Sequence, residues 1–540
     1  MAGETLSASD VLARRLYEAG CRHAFGMPGG EVLTLVEALR AAGIDFVLAK
    51  HENAAGFMAD AAHHMTGAPG IMVATLGPGA MNGVNAVANA LQDRVPLIVL
   101  TGCVDEDEAQ SYTHQVLDHR AVFSPITKAS FRLSAGAADI IADKSVGIAQ
   151  EGRPGPVHID VPISVAGAAV PNAPAQRRVP AGPVQPAAGG ALDRAGSWLG
   201  QAERPVAILG LDVMTEDCGP AVQAFLENHN IPFVTTYKAK GVVPEDHPLC
   251  LGAAGLSPRA DKLILPFVRQ ADLILCLGYD PIEMRPGWRN VWDADKVAVI
   301  DISHEPNHHY MHQAGLSFVA SVGVSVAALG EEAEPRQTWP GGEVEELRSA
   351  LRGAFPQDAD WGPAAVIAEC RAVLPDETIA TVDSGAHRIL LSQMWTCPGP
   401  RSLLQSSALC TMGCAVPLAI GTSLVAPGRP VVSFSGDAGF LMVAGELSTA
   451  AELGLRTIFV VFVDASLALI EKKQREGQMP NTGVDFGLHD FAAIGRAFGG
   501  DGHTVGNRAE LRAALVSALA APGFSVIAAR IDRQAYDGLI

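Results

Sequence analysis

Short apolar runs that break off into glycine recur along the chain. In "VVSFSGDAGF" (431–440), Val431, Val432 and Phe434 suit a buried strand. Gly436 and Gly439 then let the chain turn sharply and bring backbone N–H groups close to a ligand. A helix-like stretch follows, with its start expected near Met442 and its N-terminus aimed at that turn. A second apolar run, "RTIFVVFVDAS", ends in Asp464. Neighbouring strands of a parallel βαβ unit finish at the same sheet edge, so the pattern predicts that Asp437 and Asp464 meet there.

The same rhythm divides the chain into three blocks. Residues 1–170 hold the strand-like "GIMVATLGPG", "PLIVLTG" and "PGPVHIDVP"; residues 190–335 hold "PVAILG", "ADLILCLG" and "KVAVIDI". Residues 345–540 hold "ETIATVDSGAH", the two aspartate-ended runs and "FSVIAARID". Between the first two lies an Ala-, Pro- and Gly-rich stretch without periodicity, read as a linker. A charged stretch with Pro and Gly, "GEEAEPRQTWPGGEVEE", separates the last two. The expected fold is α/β, three domains of parallel doubly wound sheets.

A chain of 540 residues is long for a single core, which agrees with several domains. With 48% apolar and 18% charged residues it reads as a well-packed globular protein. A net charge of −19 argues against a nucleic-acid partner, which calls for a basic face. Nine dispersed cysteines without CxxC pairs suggest free thiols in a reducing compartment. "MAGETLSASDVLARRLYEAG" reads as a capped amphipathic helix rather than a signal peptide, and no apolar stretch has membrane-spanning length. The expectation is a cytoplasmic protein with no membrane partner.

Two constellations stand out for chemistry. Asp437 and Asp464 offer hard oxygen ligands beside glycine turns, which suits Mg²⁺ shared with a diphosphate; alternatively, both only cap turns after strands. In "KHENAAGFMADAAHHMTG", Glu52 precedes small and apolar residues, so its carboxylate either enters a helix interface or sits exposed on a first helical turn.

Taken together, "FGMPGG", "HENAAGFMADA", "VATLGPGAMNGV", "EGRPGPVHIDVP", "LCTMGCAVPLAIG" and "GDAGF…VDAS" resemble, in this order, the thiamine-diphosphate-dependent 2-oxoacid decarboxylases and acetolactate synthases. The resemblance implies a pyrimidine-binding first domain, a central domain and a diphosphate-binding last domain. It also implies a homo-oligomer, a dimer at minimum and a tetramer by expectation, with thiamine diphosphate between the first domain of one subunit and the last of another. By the same resemblance Glu52 holds the aminopyrimidine nitrogen and activates the cofactor, and Gly29 and Gly30 line the cofactor site. Met412 is the apolar wedge beneath the cofactor, and Cys410 contributes a backbone carbonyl. Gly385, Ala386 and His387 form a diphosphate-contacting turn with Gly436, Ala438 and Gly439. Asp437, Asp464 and the Ser466 carbonyl take the metal. Read without the family, Met412 is core filling and His387 a surface residue.

The chain departs from the family in places. Its "GDG" reads "GDA" here, and its "NN" pair reads Val463-Asp464, which keeps an oxygen ligand but adds a negative charge. Gln115 aligns with an active-site glutamine of the synthases, and Lys128 fits the same spacing. Thr75 stands near where benzoylformate decarboxylase-like members carry a histidine. Ile470 replaces the catalytic glutamate of pyruvate decarboxylases, with Glu471 one residue off. These positions favour decarboxylation of a 2-oxoacid followed by ligation to a carbonyl acceptor, with Glu52 and Gln115 as catalytic residues. The alternatives are a non-ligating decarboxylase or C–C lyase and a silent regulatory paralogue. A nicotinamide dehydrogenase is disfavoured, since no GxGxxG opens a helix after a strand. "LGYDPIEMRPGW" lacks the sequence of flavin-binding members, so FAD is not favoured.

Overall fold

The computed structural model describes residues 6–170 and 177–540, the Glu283 side chain excepted. The first five residues of the expected N-terminal helical segment and residues 171–176 of the expected linker lie outside the described residues. Within them that segment forms the helix Ala8–Glu18. Its cap Ser7 accepts the Asp10 N–H at 3.1 Å, and Asp10 accepts the Ser7 N–H at 2.9 Å. This reciprocal pair is a capping box.

Three six-stranded sheets, parallel throughout, carry the fold. Their inner strands are the apolar runs of the sequence. Leu97–Cys103 and Pro156–Pro162 are buried at every position, as are Leu273–Leu277 and Ile458–Val463. Such strands lose the in/out alternation because helices cover both faces of a parallel sheet.

The first and third sheets share one strand order. In the first, Asp45–Leu48 and His23–Met27 lie on one side of Gly70–Ala74, with Leu97–Cys103, Pro156–Pro162 and Ala129–Arg132 on the other. In the third, Leu403–Gln405 and Ile379–Val382 flank Val431–Gly436, followed by Ile458–Val463, Ser525–Arg530 and Asp501–Val505. The order reverses beside the Gly70 and Val431 strands, and crevices at such reversals are where α/β sheets take ligands. The central sheet differs: it runs outward from Pro205–Leu209 to Cys250–Ala253 on one side and from Leu273–Leu277 to Leu316–Val319 on the other.

Helices lock the first sheet to the third. Glu52–Thr66 packs on Ala415–Val425 so closely that a Cβ on Gly421 would lie 2.5 Å from the Met58 carbonyl oxygen. The charged stretch before the third block is not a bare spacer. Its Trp339 is buried, stacks on Phe267 at 3.9 Å and donates its indole N–H to the Pro205 carbonyl at 2.7 Å. The helix after it, Glu343–Ala354, packs on the central helix Pro258–Val268, so a division at residue 345 falls inside an element.

All three blocks meet at Asp93. Its carboxylate, 2% exposed, accepts the Ser407 and Ala408 N–H groups at 3.0 and 2.9 Å and pairs with Lys238 at 3.1 Å. Beside it Asn89 accepts the Ser406 hydroxyl at 2.6 Å. Removing one partner of a buried pair strands the other in low dielectric, at a cost of about 3–5 kcal/mol. Asp93→Ala is therefore expected to lower the midpoint of thermal unfolding strongly and to admit proteolysis around 406–412; an unchanged midpoint contradicts this role.

Candidate active site

The adjoining strands Val431–Gly436 and Ile458–Val463 run in parallel register, with Gly436 opposite Phe462. Asp437 and Asp464 accordingly leave the same edge. Asp437 accepts the N–H groups of Ala438 (2.9 Å), Asp464 (3.1 Å) and Ala465 (2.7 Å). Asp464 accepts the Ser466 N–H at 3.0 Å. Burial raises the Asp437 carboxyl against these N–H groups. Asp464 is pushed up to about 7, first by burial and then by the negative charge of Asp437. Loss of water and a neighbouring like charge both disfavour the ionised form.

The helix expected near Met442 begins instead at Asp437 and ends at Val443, with Gly436 as its extended cap. A 3-10 turn, Ala444–Glu446, and the helix Leu447–Glu452 follow. Gly436 leaves the strand straight into helical backbone, so Asp437 itself sits in the first turn. No helix starts at Met442 to aim a dipole at this edge.

A cavity of ≈ 310 Å³ opens here, and the predicted residues of the third block all line it: Gly385, Ala386 and His387 from one turn, Cys410 and Met412 from another, Gly436–Gly439 from the third, and Asp464 with Ser466. His387 is buried rather than a surface residue: it stacks on Phe462 at 5.3 Å, and burial pushes its imidazole down to about 3. The His387 Nε2 and the Ser384 hydroxyl are buried without a protein partner. Gly439 is required because a Cβ there would lie 1.8 Å from the Asp383 Oδ2. Cys410 is exposed at φ +55°; its thiol donates to the Ser407 carbonyl at 3.0 Å and accepts from Arg388 at 3.2 Å.

The predicted residues of the first block gather elsewhere, at the edge of the first sheet. Glu52 is 4% exposed, so the interface placement holds and the exposed one does not. It accepts the Asn82 amide at 2.9 Å, and a Cβ on Gly79 would come within 3.1 Å of its Oε1. Gly29 abuts Thr75, whose hydroxyl donates to Glu31 at 2.7 Å, while Gly30 has open space at its Cβ position. Gln115 adopts φ +58° and backs onto Gly77. None of these residues lines the cavity of the third block.

Lys128 is not part of either cluster. It precedes the strand Ala129–Arg132, at the opposite end from the ligand edge, and donates to the Glu151 carbonyl at 2.5 Å. Glu471 faces away, bonded to Arg475 at 3.1 and 3.2 Å, whereas Ile470 lines the cavity. Sequence reasoning passed over Asp383, Tyr536 and Arg285. Asp383 follows a strand just as Asp437 and Asp464 follow theirs, accepts the Cys414 N–H at 3.0 Å and is raised by burial to about 6. Tyr536, from the C-terminal turn, and Arg285, from the central block, reach the cavity by tertiary folding alone. All nine cysteines are free thiols, and no described helix is long and apolar enough to cross a membrane.

Three family profiles match the chain: "Thiamine pyrophosphate enzyme, N-terminal TPP binding domain" over residues 6–122, its "central domain" over 192–329, and its "C-terminal TPP binding domain" over 383–529. The chain is 31% identical to the acetolactate synthase of Bacillus subtilis, across 97% of this chain and 93% of that one. It is 30% identical to the acetolactate synthase isozyme 1 large subunit of Escherichia coli, across 98% and 94%. It is also 30% identical to a probable 2-ketoarginine decarboxylase of Pseudomonas aeruginosa, across 92% and 89%.

Two glycines separate crowding from composition. Gly439→Ala forces the Asp383 carboxylate out of place and is expected to destabilise by about 1–3 kcal/mol. Gly30→Ala meets open space and is expected to leave the thermal midpoint unchanged. Equal midpoints for both variants contradict this packing.

Proposed function

The chain belongs to the thiamine-diphosphate-dependent enzymes of acetolactate synthase type, and on that footing we propose that it decarboxylates a 2-oxoacid and passes the acyl anion to a carbonyl acceptor. The observation that carries ligation over simple decarboxylation is the wall of the cavity. Ile470 faces it, 43% exposed, and Glu471 is tied to Arg475. Among the described residues, no carboxylic acid apart from Asp437 and Asp464 lines it. A wall without a spare carboxylic acid favours a carbanion that meets a second carbonyl.

The residues suit the cofactor. Asp437 and Asp464 offer two hard oxygens whose mutual repulsion a divalent cation relieves, so we assign Mg²⁺ to them with the Ser466 carbonyl. The unpartnered Ser384 hydroxyl and His387 imidazole flank the glycine turns at Gly385, Gly436 and Gly439 and suit a diphosphate. When bound, thiamine diphosphate supplies the carbon that carries the charge left by decarboxylation. Met412 would support it, and Glu52, held by Asn82, would hold a proton at the aminopyrimidine. Gln115 meets the substrate from the same edge as Glu52. Since the Glu52 cluster does not line the Asp437 cavity, the reading pairs Glu52 of one copy with Asp437 of another, which makes a dimer the smallest active unit.

Flavin is not favoured. In the central sheet the two turns where strand order reverses pack closely on each other. A Cβ on Gly210 would lie 2.1 Å from the Gly278 carbonyl oxygen. Asp212 accepts the His304 N–H at 3.0 Å, and Glu216 accepts the Val322 and Gly323 N–H groups at 2.6 and 3.0 Å. Two carboxylates there oppose the phosphates of a dinucleotide.

Incubation with pyruvate and other 2-oxoacids, with and without an added aldehyde, tests the reaction. Ligated hydroxyketones are the expected products, and free aldehyde alone overturns ligation. For the metal, titration with thiamine diphosphate at fixed Mg²⁺ should show Asp437→Ala losing cofactor retention. Asp464→Asn should retain it or bind better, because an oxygen ligand remains and one negative charge beside the diphosphate is gone. Equal loss in both variants contradicts Asp464 as a simple ligand.

A further inference from the structure

Behind the Gln115 loop lies a buried polar chain that the mechanism above does not use. Gly77 caps the short helix Pro78–Asn82 with φ +61° and no side-chain cap of its own. Its N–H donates to the His119 Nε2 at 3.1 Å. The other nitrogen of that ring, Nδ1, lies 2.9 Å from the Asp160 Oδ1. The same Oδ1 takes the Thr101 hydroxyl at 2.6 Å, and Thr101 in turn lies 2.7 Å from the His158 Nε2. Ser130 closes the series at 2.8 Å from the His158 Nδ1. Burial lowers His158 to about 4, so its ring is neutral at pH 7 and carries one proton.

Only one arrangement of protons satisfies every member. Ser130 donates to His158, His158 to Thr101, and Thr101 to Asp160; His119 donates to Asp160 through Nδ1–H and keeps its Nε2 lone pair for Gly77. His119 and Asp160 are 1% and 4% exposed, so losing a partner is costly. What this chain holds is the Gly77 turn. On one side a Cβ on Gly77 would lie 2.8 Å from the Gln115 carbonyl oxygen, and on the other a Cβ on Gly79 would lie 3.1 Å from the Glu52 Oε1. His119 also opens the helix His119–Phe123, four residues after Gln115, and so ties down the far end of that loop.

We propose that His119, locked in its Nδ1–H tautomer by Asp160, is a positioning residue that sets Gln115 against the substrate through the Gly77 turn. This rests on the reading above that Gln115 meets the 2-oxoacid. His119, 1% exposed, borders the same cavity as Gln115 and acts through the Gly77 N–H.

The test uses the holoenzyme loaded with thiamine diphosphate and Mg²⁺. His119→Phe keeps a ring but no acceptor. It should speed amide hydrogen exchange of the segment containing Gly77 and lower kcat/KM for the 2-oxoacid by about a hundredfold, the scale of a misplaced contact group. Combined with Gln115→Ala it should add no more than about a twofold further loss, because both changes remove one function. His119→Gln, which restores an acceptor toward Gly77, should recover kcat/KM to within about tenfold of wild type, the value of the one hydrogen bond it gives up. Should His119→Phe not fold, Asp160→Asn keeps the imidazole while releasing its tautomer, and must then speed Gly77 exchange. Unchanged exchange at Gly77, or losses for His119→Phe and Gln115→Ala that multiply, overturn the proposal. A wild-type holoenzyme that decarboxylates no 2-oxoacid overturns the functional reading instead, and the exchange result then stands by itself.

Discussion

The arrangement of the whole chain turns on one buried carboxylate. Asp93, at the end of a first-block helix, holds the Ser407 and Ala408 N–H groups of the third block and faces Lys238 of the central block. A charge taken out of water needs all of these partners at once, and only one relative placement of the three sheets supplies them. The loop so fixed, 406–412, is the one that presents Cys410 and Met412 to the cavity. Asp93 thus couples domain packing to the shape of the site.

That placement has a consequence for chemistry. Within one chain the first-block cluster around Glu52 and the third-block cavity around Asp437 occupy separate places, although the two sheets share a strand order and each presents its ligand edge at a reversal of that order. The proposed pairing of two copies follows from this separation of the two clusters. Both halves are built alike, from glycine turns at strand ends braced by buried acids: Asp383 behind the Cys414 N–H and Asp160 behind His119. Buried acids bonded to N–H groups of neighbouring segments hold such turns in one conformation, which suits groups that must act on a ligand without rearranging.

Much of this was legible in the residues. Fully buried parallel strands appear as uninterrupted apolar runs, so Val431–Gly436 and Ile458–Val463 were visible, and the rule that parallel neighbours end together brought Asp437 and Asp464 to one edge. Local pattern failed where a residue's role depends on distant chain. His387 reads as an ordinary surface histidine until Phe462 covers it. Asp93 and Ser407 are 314 positions apart, and nothing near "LQDRVP" signals that partner. The helix after Gly436 starts earlier than its local pattern suggests because Asp437, a turn-former by habit, opens it while accepting the Ala438 N–H. Tyr536 and Arg285 come from segments with no periodicity that points at the cavity.

The central claim is that each active site joins Glu52 of one copy to Asp437 of another, and subunit mixing tests it most directly. Glu52→Gln and Asp437→Ala chains, each inactive alone, are dissociated, combined in equal amounts and reassembled. If the half-sites come from different chains, one site in each mixed pair regains both groups, and activity should return to about a quarter of wild type for random pairing of dimers. If mixed dimers form, as mass spectrometry of the intact assemblies would show, and activity stays at the level of the separate variants, the two groups act within one chain and the account is wrong.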